Sequence, residues 1–364
     1  MTFIEESDFD HLLLNEVAIL DVRSEGEFMA GSFPGAVNKP ILNDPERSSV
    51  GTTYKQQGKT QAIELGKKLV SGETKANRLS DWIEFLGNRT EIALYCARGG
   101  MRSEYAQSWL NEAGLKVPRI RGGYKSLRKY LMELNQTLPF TRKLSIIGGK
   151  TGSGKTAFLS ELSKSRSVID LEEIAKHRGS AFGNVYGGQG SQSNFENLVA
   201  SSLLRLVQRS DSNIFVESES RRIGRHFIPI DLWNQMSKSE IWILDVPLEE
   251  RVNRILEDYV RFVLNSDIES PPESAGAKLE LFIMNSLRSI GKHLGSELLR
   301  QLEKLVAEAM NHQINTGEII SHKKWIELLL VRYYDPHYEK NLQSNKARIV
   351  TIDAPDKILT QLSH

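Results

Sequence analysis

A chain of 364 residues is longer than one ordinary hydrophobic core supports, so two domains are expected. Its 40% hydrophobic and 26% charged residues exclude wholesale disorder. Lys and Arg (47) nearly cancel Asp and Glu (46), and the net charge of +1 excludes a strongly basic nucleic-acid protein, so any polyanionic partner must meet a local basic patch.

In chain order, VAILDVRS (17–24) is an apolar strand ending near Asp21, and EFMAGSFPGAVNKP (27–40) adds turns and a second extended piece. EIALYCARGG (91–100) is a strand running into a glycine turn, followed by an amphipathic helix, SEYAQSWLNEAG (103–114). VPRIRGGYKSLRKYL (117–131) repeats strand, turn and helix. After a turn at TLPFTR (137–142), strands are expected at KLSIIGG (143–149), SVIDLE (167–172), NIFVESES (213–220) and EIWILDVP (240–247), with a helix from about Thr156. Asp170, Glu217 and Asp245 fall at the ends of three of these strands, the edge where ligands bind in parallel sheets. NSDIESPPESAGA (265–277) reads as a mobile insertion, and the rest as amphipathic helices. The alternation gives an α/β protein with domains at 1–138 and 139–364.

The single cysteine, Cys96, rules out an intramolecular disulfide and a cysteine-built zinc site. The stretch MTFIEESDFD has no apolar signal core, and no run of about 18 apolar residues occurs, so a cytoplasmic protein without membrane attachment is expected.

Cys96 follows a strand and precedes a helix, where unpaired N–H groups favour a thiolate or a bound anion. Gly99 and Gly100 allow the loop to curl, and Arg98 and Arg102 add charge, the latter at C-x5-R spacing. Cys96, Arg98 and Arg102 are therefore the candidate catalytic set. A second anion site is GKTGSGKT (149–156), a G-x-x-x-x-G-K-[ST] loop between strand and helix. Gly149, Gly152 and Gly154 shape it, Lys155 reaches a terminal phosphate, and Thr156 and Glu217 are candidate magnesium ligands. In SESRRIGRHF (218–227), Arg221, Arg222, Arg225 and His226 are candidate phosphate or RNA contacts. Tyr54, Lys55 and Lys59 in VGTTYKQQGKTQ could meet nucleotide or prenyl substrate, against an ordinary surface loop with a helix starting near Thr60.

LLNEVAILDVRSEGEFMAGSFPGAVNKP and RIRGGYKSLRKY resemble the opening and closing signatures of a rhodanese domain. Tyr95 stands where the related phosphatases carry a histidine. With CARGGMR and GKTGSGKT in that order, and with NDPERSSVGTTYKQQGKTQAIELGKKL, IDLEEIAKHRGSAFG, SQSNFENLV, ESRRIG and RYYDPHY, the whole chain resembles the tRNA 2-selenouridine synthases. The resemblance implies a rhodanese-like domain followed by a P-loop domain. It implies a two-step exchange at the wobble uridine of tRNA. 2-Thiouridine is S-geranylated by geranyl diphosphate, and selenium from selenophosphate then displaces the geranylated sulfur. The P-loop is assigned to the diphosphate and Cys96 to selenium transfer, as a perselenide carrier or by orienting an attack. Expected partners are the tRNA anticodon region, the two phosphorylated substrates and a selenophosphate-supplying enzyme; no tightly bound cofactor is expected, and magnesium stays open. Two rival readings are an ATP-dependent sulfurtransferase or kinase fused to a persulfide carrier, and a regulatory P-loop sensor.

Overall fold

Short apolar runs separated by turns build a parallel sheet in the first part of the chain. Its strands are β1 (Phe3–Ile4), β2 (Ala18–Asp21), β3 (Val37–Asn38), β4 (Ile92–Tyr95) and β5 (Arg119–Ile120), in the order β1-β5-β4-β2-β3. The computed structural model describes residues 2–15, 17–87, 89–178, 182–183, 188–265 and 275–363. Because successive strand residues point to opposite faces, Ile19, Ala93 and Tyr95 enter one apolar layer, while Leu20, Leu94 and Cys96 enter the other. Both layers are covered by helices, as parallel strands require.

The chain divides into two compact units, one of Met1–Leu138 with Gly190–Gln208, the other of Pro139–Gln189 with Arg209–His364. The expected boundary after residue 138 is thus incomplete. The helix Gln192–Val207 belongs to the first unit, where Ala200 and Leu204 join the layer of Leu127, Leu131 and Leu134. Polar bonds fix it there. Ser32 N–H donates to Asn194 Oδ1 at 2.7 Å, Asn197 Nδ2 to Ser32 O at 2.7 Å, and Arg205 to Leu13 O. The stretch SQSNFENLV is therefore a docking helix, opened by Ser191 as N-cap.

VGTTYKQQGKTQ is not a loop. Asn43 and Glu46 form a capping box that starts a helix at Asp44–Gln57, and after Gly58 a second helix runs over Lys59–Leu69, close to the expected start.

In the second unit, β6 (Lys143–Gly149), β7 (Ser167–Ile169), β8 (Asn213–Glu217), β11 (Glu240–Leu244) and β12 (Ile349–Asp353) pair in parallel in the order β12-β11-β6-β8-β7. The expected continuation of β7 to 172 gives way at Asp170, which caps the helix Leu171–Ala175. SESRRIGRHF holds a small antiparallel hairpin, β9 (Arg222–Ile223) with β10 (His226–Phe227). The edge strand β12 was not expected; it joins the sheet beside β11 from more than a hundred residues further along the chain.

The later helices, Ala275–Ser289, Gly291–Leu294, Ser296–Thr316 and Lys323–Leu329, share a core with the helix Leu248–Ile255. Two segments of that core, Leu256–Arg261 and Leu330–Tyr334, are π-helical. Most of the expected mobile insertion, 266–274, lies outside the described residues, as do positions 179–181 of IDLEEIAKHRGSAFG. Among the described residues no helix is long and apolar enough to cross a membrane.

Candidate active sites: a thiol loop and a phosphate loop

β4 delivers Cys96 to a loop that closes on the start of helix Met101–Glu112. The loop is held from behind by RGGYK: Tyr124 N–H donates to Cys96 O at 2.8 Å and Lys125 N–H to Ala97 O at 3.0 Å. This close approach requires glycine at Gly123, whose φ is 59° and whose added Cβ would stand 2.5 Å from Gly99 N and on top of the Cys96 carbonyl oxygen. The carbonyls are thereby turned toward Gly123 and its neighbours. The Cys96 thiol is buried, 3% exposed, and donates to Ser103 Oγ at 3.2 Å, while Ser103 donates to Gly100 O at 2.9 Å. Sequence reasoning missed Ser103, although it directly follows Arg102.

Arg98 is exposed at the rim of the loop. Arg102 has its charge paired. It makes a two-pronged ion pair with Glu27, its Nη2 at 3.0 Å from Oε1. Burial opposes the charge of Glu27, but the hydrogen bond and charge of Arg102, with the Ser24 N–H and Arg47, pull its pKa down to about 2. Glu27 thus holds Arg102 in one geometry; burial opposes the guanidinium's charge, but the hydrogen bond and charge of Glu27 raise its pKa. Tyr95, fully buried, accepts from Phe33 N–H at 3.2 Å through its hydroxyl. The Arg23 guanidinium, paired with Asp21 at 2.6 Å, lies 4.0 Å from the Tyr124 ring centroid. These groups brace the loop, and none was read as part of the site from sequence.

The phosphate loop joins β6 to helix Lys155–Leu162. Lys155 Nζ donates to Gly149 O at 3.1 Å, the resting position of a lysine folded over its own loop. Gly152 and Gly154 carry φ values of 81°, and an added Cβ at Gly154 would meet Arg254 Cζ at 2.7 Å. Arg254 Nη1 donates to Gly152 O at 2.7 Å. Arg251 Nη1 donates to Thr151 O at 3.2 Å, and the same guanidinium makes a bidentate pair with Asp335 at 2.8 and 2.7 Å. Lys150 pairs with Glu339 at 2.8 Å, and burial raises the Tyr338 hydroxyl to about 12 although Gly149 N–H donates to it. RYYDPHY is therefore the latch of the phosphate loop. Arg254 was missed because it lies about a hundred residues beyond the motif.

A group of carboxyls stands beside Lys155. Burial pushes Glu217 well above the usual carboxylate range, helped by the charges of Asp170, Glu172 and Glu219. Glu217 Oε1 accepts from Glu172 N–H at 2.7 Å, and its Oε2 has no hydrogen-bond partner. Burial raises Asp170 to about 6. Glu172 and Glu219 are both raised, chiefly by burial, and Glu172 also by the charge of Glu219, while Lys155 pulls both down. Of these four only Glu217 was singled out as a ligand from sequence. Thr156 is exposed at the helix start. Among the described residues no group of three or more His, Cys, Asp or Glu side chains is arranged to hold a metal ion.

The expected RNA contacts are at the surface. Arg221, Arg222 and Arg225 are exposed on or beside the hairpin, with exposed Phe227 5.9 Å from Arg222. His226 is not a surface cation: it is 3% exposed and bonded to Gln189, which also ties Ile223 O and Arg225 N–H. In the first unit, Tyr54 (59% exposed), Lys55 and Lys59 lie around the break between two helices.

A family model of the rhodanese-like domain matches residues 7–129, and one described as the tRNA 2-selenouridine synthase AAA domain matches residues 142–364. Three relatives, each named tRNA 2-selenouridine synthase, align over nearly the whole chain. That of Shewanella woodyi is 39% identical over 95% of this chain and 94% of its own. That of Marinobacter nauticus is 39% identical over 97% and 96%, and that of Nitrosomonas europaea 41% identical over 93% and 92%.

Proposed function

We propose, from the chain's membership of the tRNA 2-selenouridine synthase family, how its two anion loops divide the work. The chain is a tRNA-modifying transferase, and its reaction is the selenation of 2-thiouridine at the wobble position. The observation that carries the finer reading is the presence of two strand–loop–helix anion cradles, only one of which holds a thiol.

In the first step, the thiocarbonyl sulfur attacks C1 of geranyl diphosphate, the C–O bond breaks, and pyrophosphate leaves as the base loses its N3 proton. Lys155 swings from Gly149 O to the departing diphosphate, and Arg254, already on the loop, adds a second cation. Magnesium, where bound, supplies further charge neutralisation. Thr156 and Glu217 are the residues proposed to hold it, and the unpaired Glu217 Oε2 is the observation in their favour.

In the second step, an alkylated sulfur is a far better leaving group than a thione. A perselenide on Cys96 would require an oxidant, because selenium in selenophosphate is already fully reduced. The balanced alternative has the Cys96 thiolate attack phosphorus: an S–P bond forms, the P–Se bond breaks, and protonation gives hydrogen selenide anion inside the loop. That anion attacks C2 of the base, and geranylthiolate leaves and takes up a proton. Water then releases phosphate from Cys96. Arg102, fixed by Glu27, and the loop N–H groups hold the phosphoryl oxygens.

The test is mass spectrometry of nucleosides from tRNA treated with purified variants. Cys96→Ser should abolish selenation while geranyl-thiouridine accumulates. Lys155→Ala should lose geranylation by roughly 30- to 1,000-fold, as loss of about 2–4 kcal/mol of transition-state stabilisation implies, yet selenate pre-geranylated tRNA. Equal loss of both steps in either variant would refute the division of labour.

A further inference from the structure

We propose that the phosphate loop is the head of a longer site, whose other part is an apolar slot that takes the hydrocarbon chain of a prenyl diphosphate. This rests on the reading of the loop as a diphosphate site, and adds where the organic part of that molecule goes. Thr151 of the loop lines the slot together with Ile255, Tyr259, Trp325, Leu329 and Leu330. The loop and the slot therefore share Thr151.

Two independent features mark this slot within the helical core. The segments Leu256–Arg261 and Leu330–Tyr334 are both π-helical, and residues of each line it, Tyr259 from one and Leu330 from the other. A π-turn inserts an extra residue and widens the helix locally, a distortion that proteins keep mostly where a site needs it. Phe182, stacked on Trp325 at 5.8 Å and 25°, adds a flat aromatic wall.

The walls also select the ligand. The surface exposed inside the slot is apolar, so a base or ribose placed there would leave its N–H, O–H and carbonyl groups unpaired. A branched hydrocarbon has none to pair. The space between atoms is about 290 Å³ with its mouth included, but only about 20 Å³ is far enough from every atom to seat the centre of a water-sized sphere. The empty slot is narrow, and the chain enters as Ile255 and Leu329 change rotamer.

Calorimetric titration of the full chain tests this with pyrophosphate, dimethylallyl diphosphate, geranyl diphosphate and ATP. Each buried methylene is worth roughly a factor of four in affinity. Geranyl diphosphate should bind at least about 100-fold tighter than pyrophosphate, with the five-carbon ester between them and ATP gaining nothing from its nucleoside. Leu329→Phe, which fills the slot, should cut the geranyl advantage to under about tenfold while leaving pyrophosphate affinity unchanged. Geranyl diphosphate binding no tighter than pyrophosphate would overturn the slot and leave the diphosphate loop standing. Failure of pyrophosphate itself to bind would overturn both. The chain-length series on the unaltered protein decides the matter even if Leu329→Phe does not fold.

Discussion

Glu27 and Arg102 show how much of the Cys96 loop depends on a residue outside it. Arg102 was visible in the sequence through its spacing from Cys96, but its partner lies 75 residues earlier, and nothing in the spacing joins them. The pair also sets a pH dependence. Glu27 has its pKa lowered from 4.5 to about 2 in the folded chain, so it binds fewer protons folded than unfolded. Its stabilising contribution is present above about pH 4.5 and is lost as pH falls toward 2. Glu27→Gln should therefore flatten the acid side of the stability curve between these values, measured by denaturant unfolding, and should lower selenation at neutral pH. A Gln variant whose acid limb matches the parent would show that the ion pair contributes nothing. Ser103 and Gly123 were likewise hidden, since their roles consist of contacts with the Cys96 loop that only the fold brings about.

At the scale of elements, the strand–loop–helix units were legible because each rests on local chemistry: an apolar strand, glycines at a tight turn, then a helix. The hairpin in SESRRIGRHF was not, since two-residue strands carry no period, and its bracing by Gln189 comes from 34 or more residues away. Asp170 and Glu217 were visible as strand ends, but their grouping with Glu172 and Glu219 was not, because the four approach one another only when β7 and β8 pair. Their raised pKa values mean that folding favours their protonated forms, with Asp170 at about 6. As pH rises through these values, negative charge gathers beside the phosphate loop and opposes an incoming diphosphate. In magnesium-free buffer, Glu172→Gln should bind pyrophosphate more tightly than the parent at pH 8, with the advantage shrinking toward pH 5. Calorimetry at several pH values measures that difference, and a constant ratio would show that these carboxyls do not face the bound anion.

At the scale of the whole molecule, a net charge of +1 gives little long-range attraction for tRNA, so binding depends on concentrated patches. Replacing Arg221 and Arg222 by alanine should reduce the salt dependence of tRNA affinity by roughly one unit of slope per lost phosphate contact. An unchanged slope, measured by filter binding from low to moderate salt, would place the RNA elsewhere. The two-domain division was readable from the order of motifs, but the helix Gln192–Val207 was not assignable to the first unit. Its apolar periodicity says that it packs, and leaves open on what. A fragment of residues 1–138 should accordingly unfold without a cooperative thermal transition, because Leu127, Leu131 and Leu134 lose the cover of Ala200 and Leu204. A synthetic peptide of residues 190–208 should restore the transition. Cooperative melting of the fragment alone would show that the helix is dispensable.

That borrowed helix also imposes a timetable on synthesis. Chains leave the ribosome at roughly 5–20 residues per second, and domains ordinarily close as their last residue emerges. Here the last segment of the first unit, residues 190–208, is still unmade when residue 138 appears. Residues 139–208 follow, and these include the phosphate loop and two of the strands destined for the other sheet. For several seconds the nascent chain holds a first sheet with all five strands but lacking one covering helix, beside two of the five strands of the second. Cys96 is the only thiol in the sequence, so the pairing errors that such a delay invites in cysteine-rich chains have no second sulfur to act on.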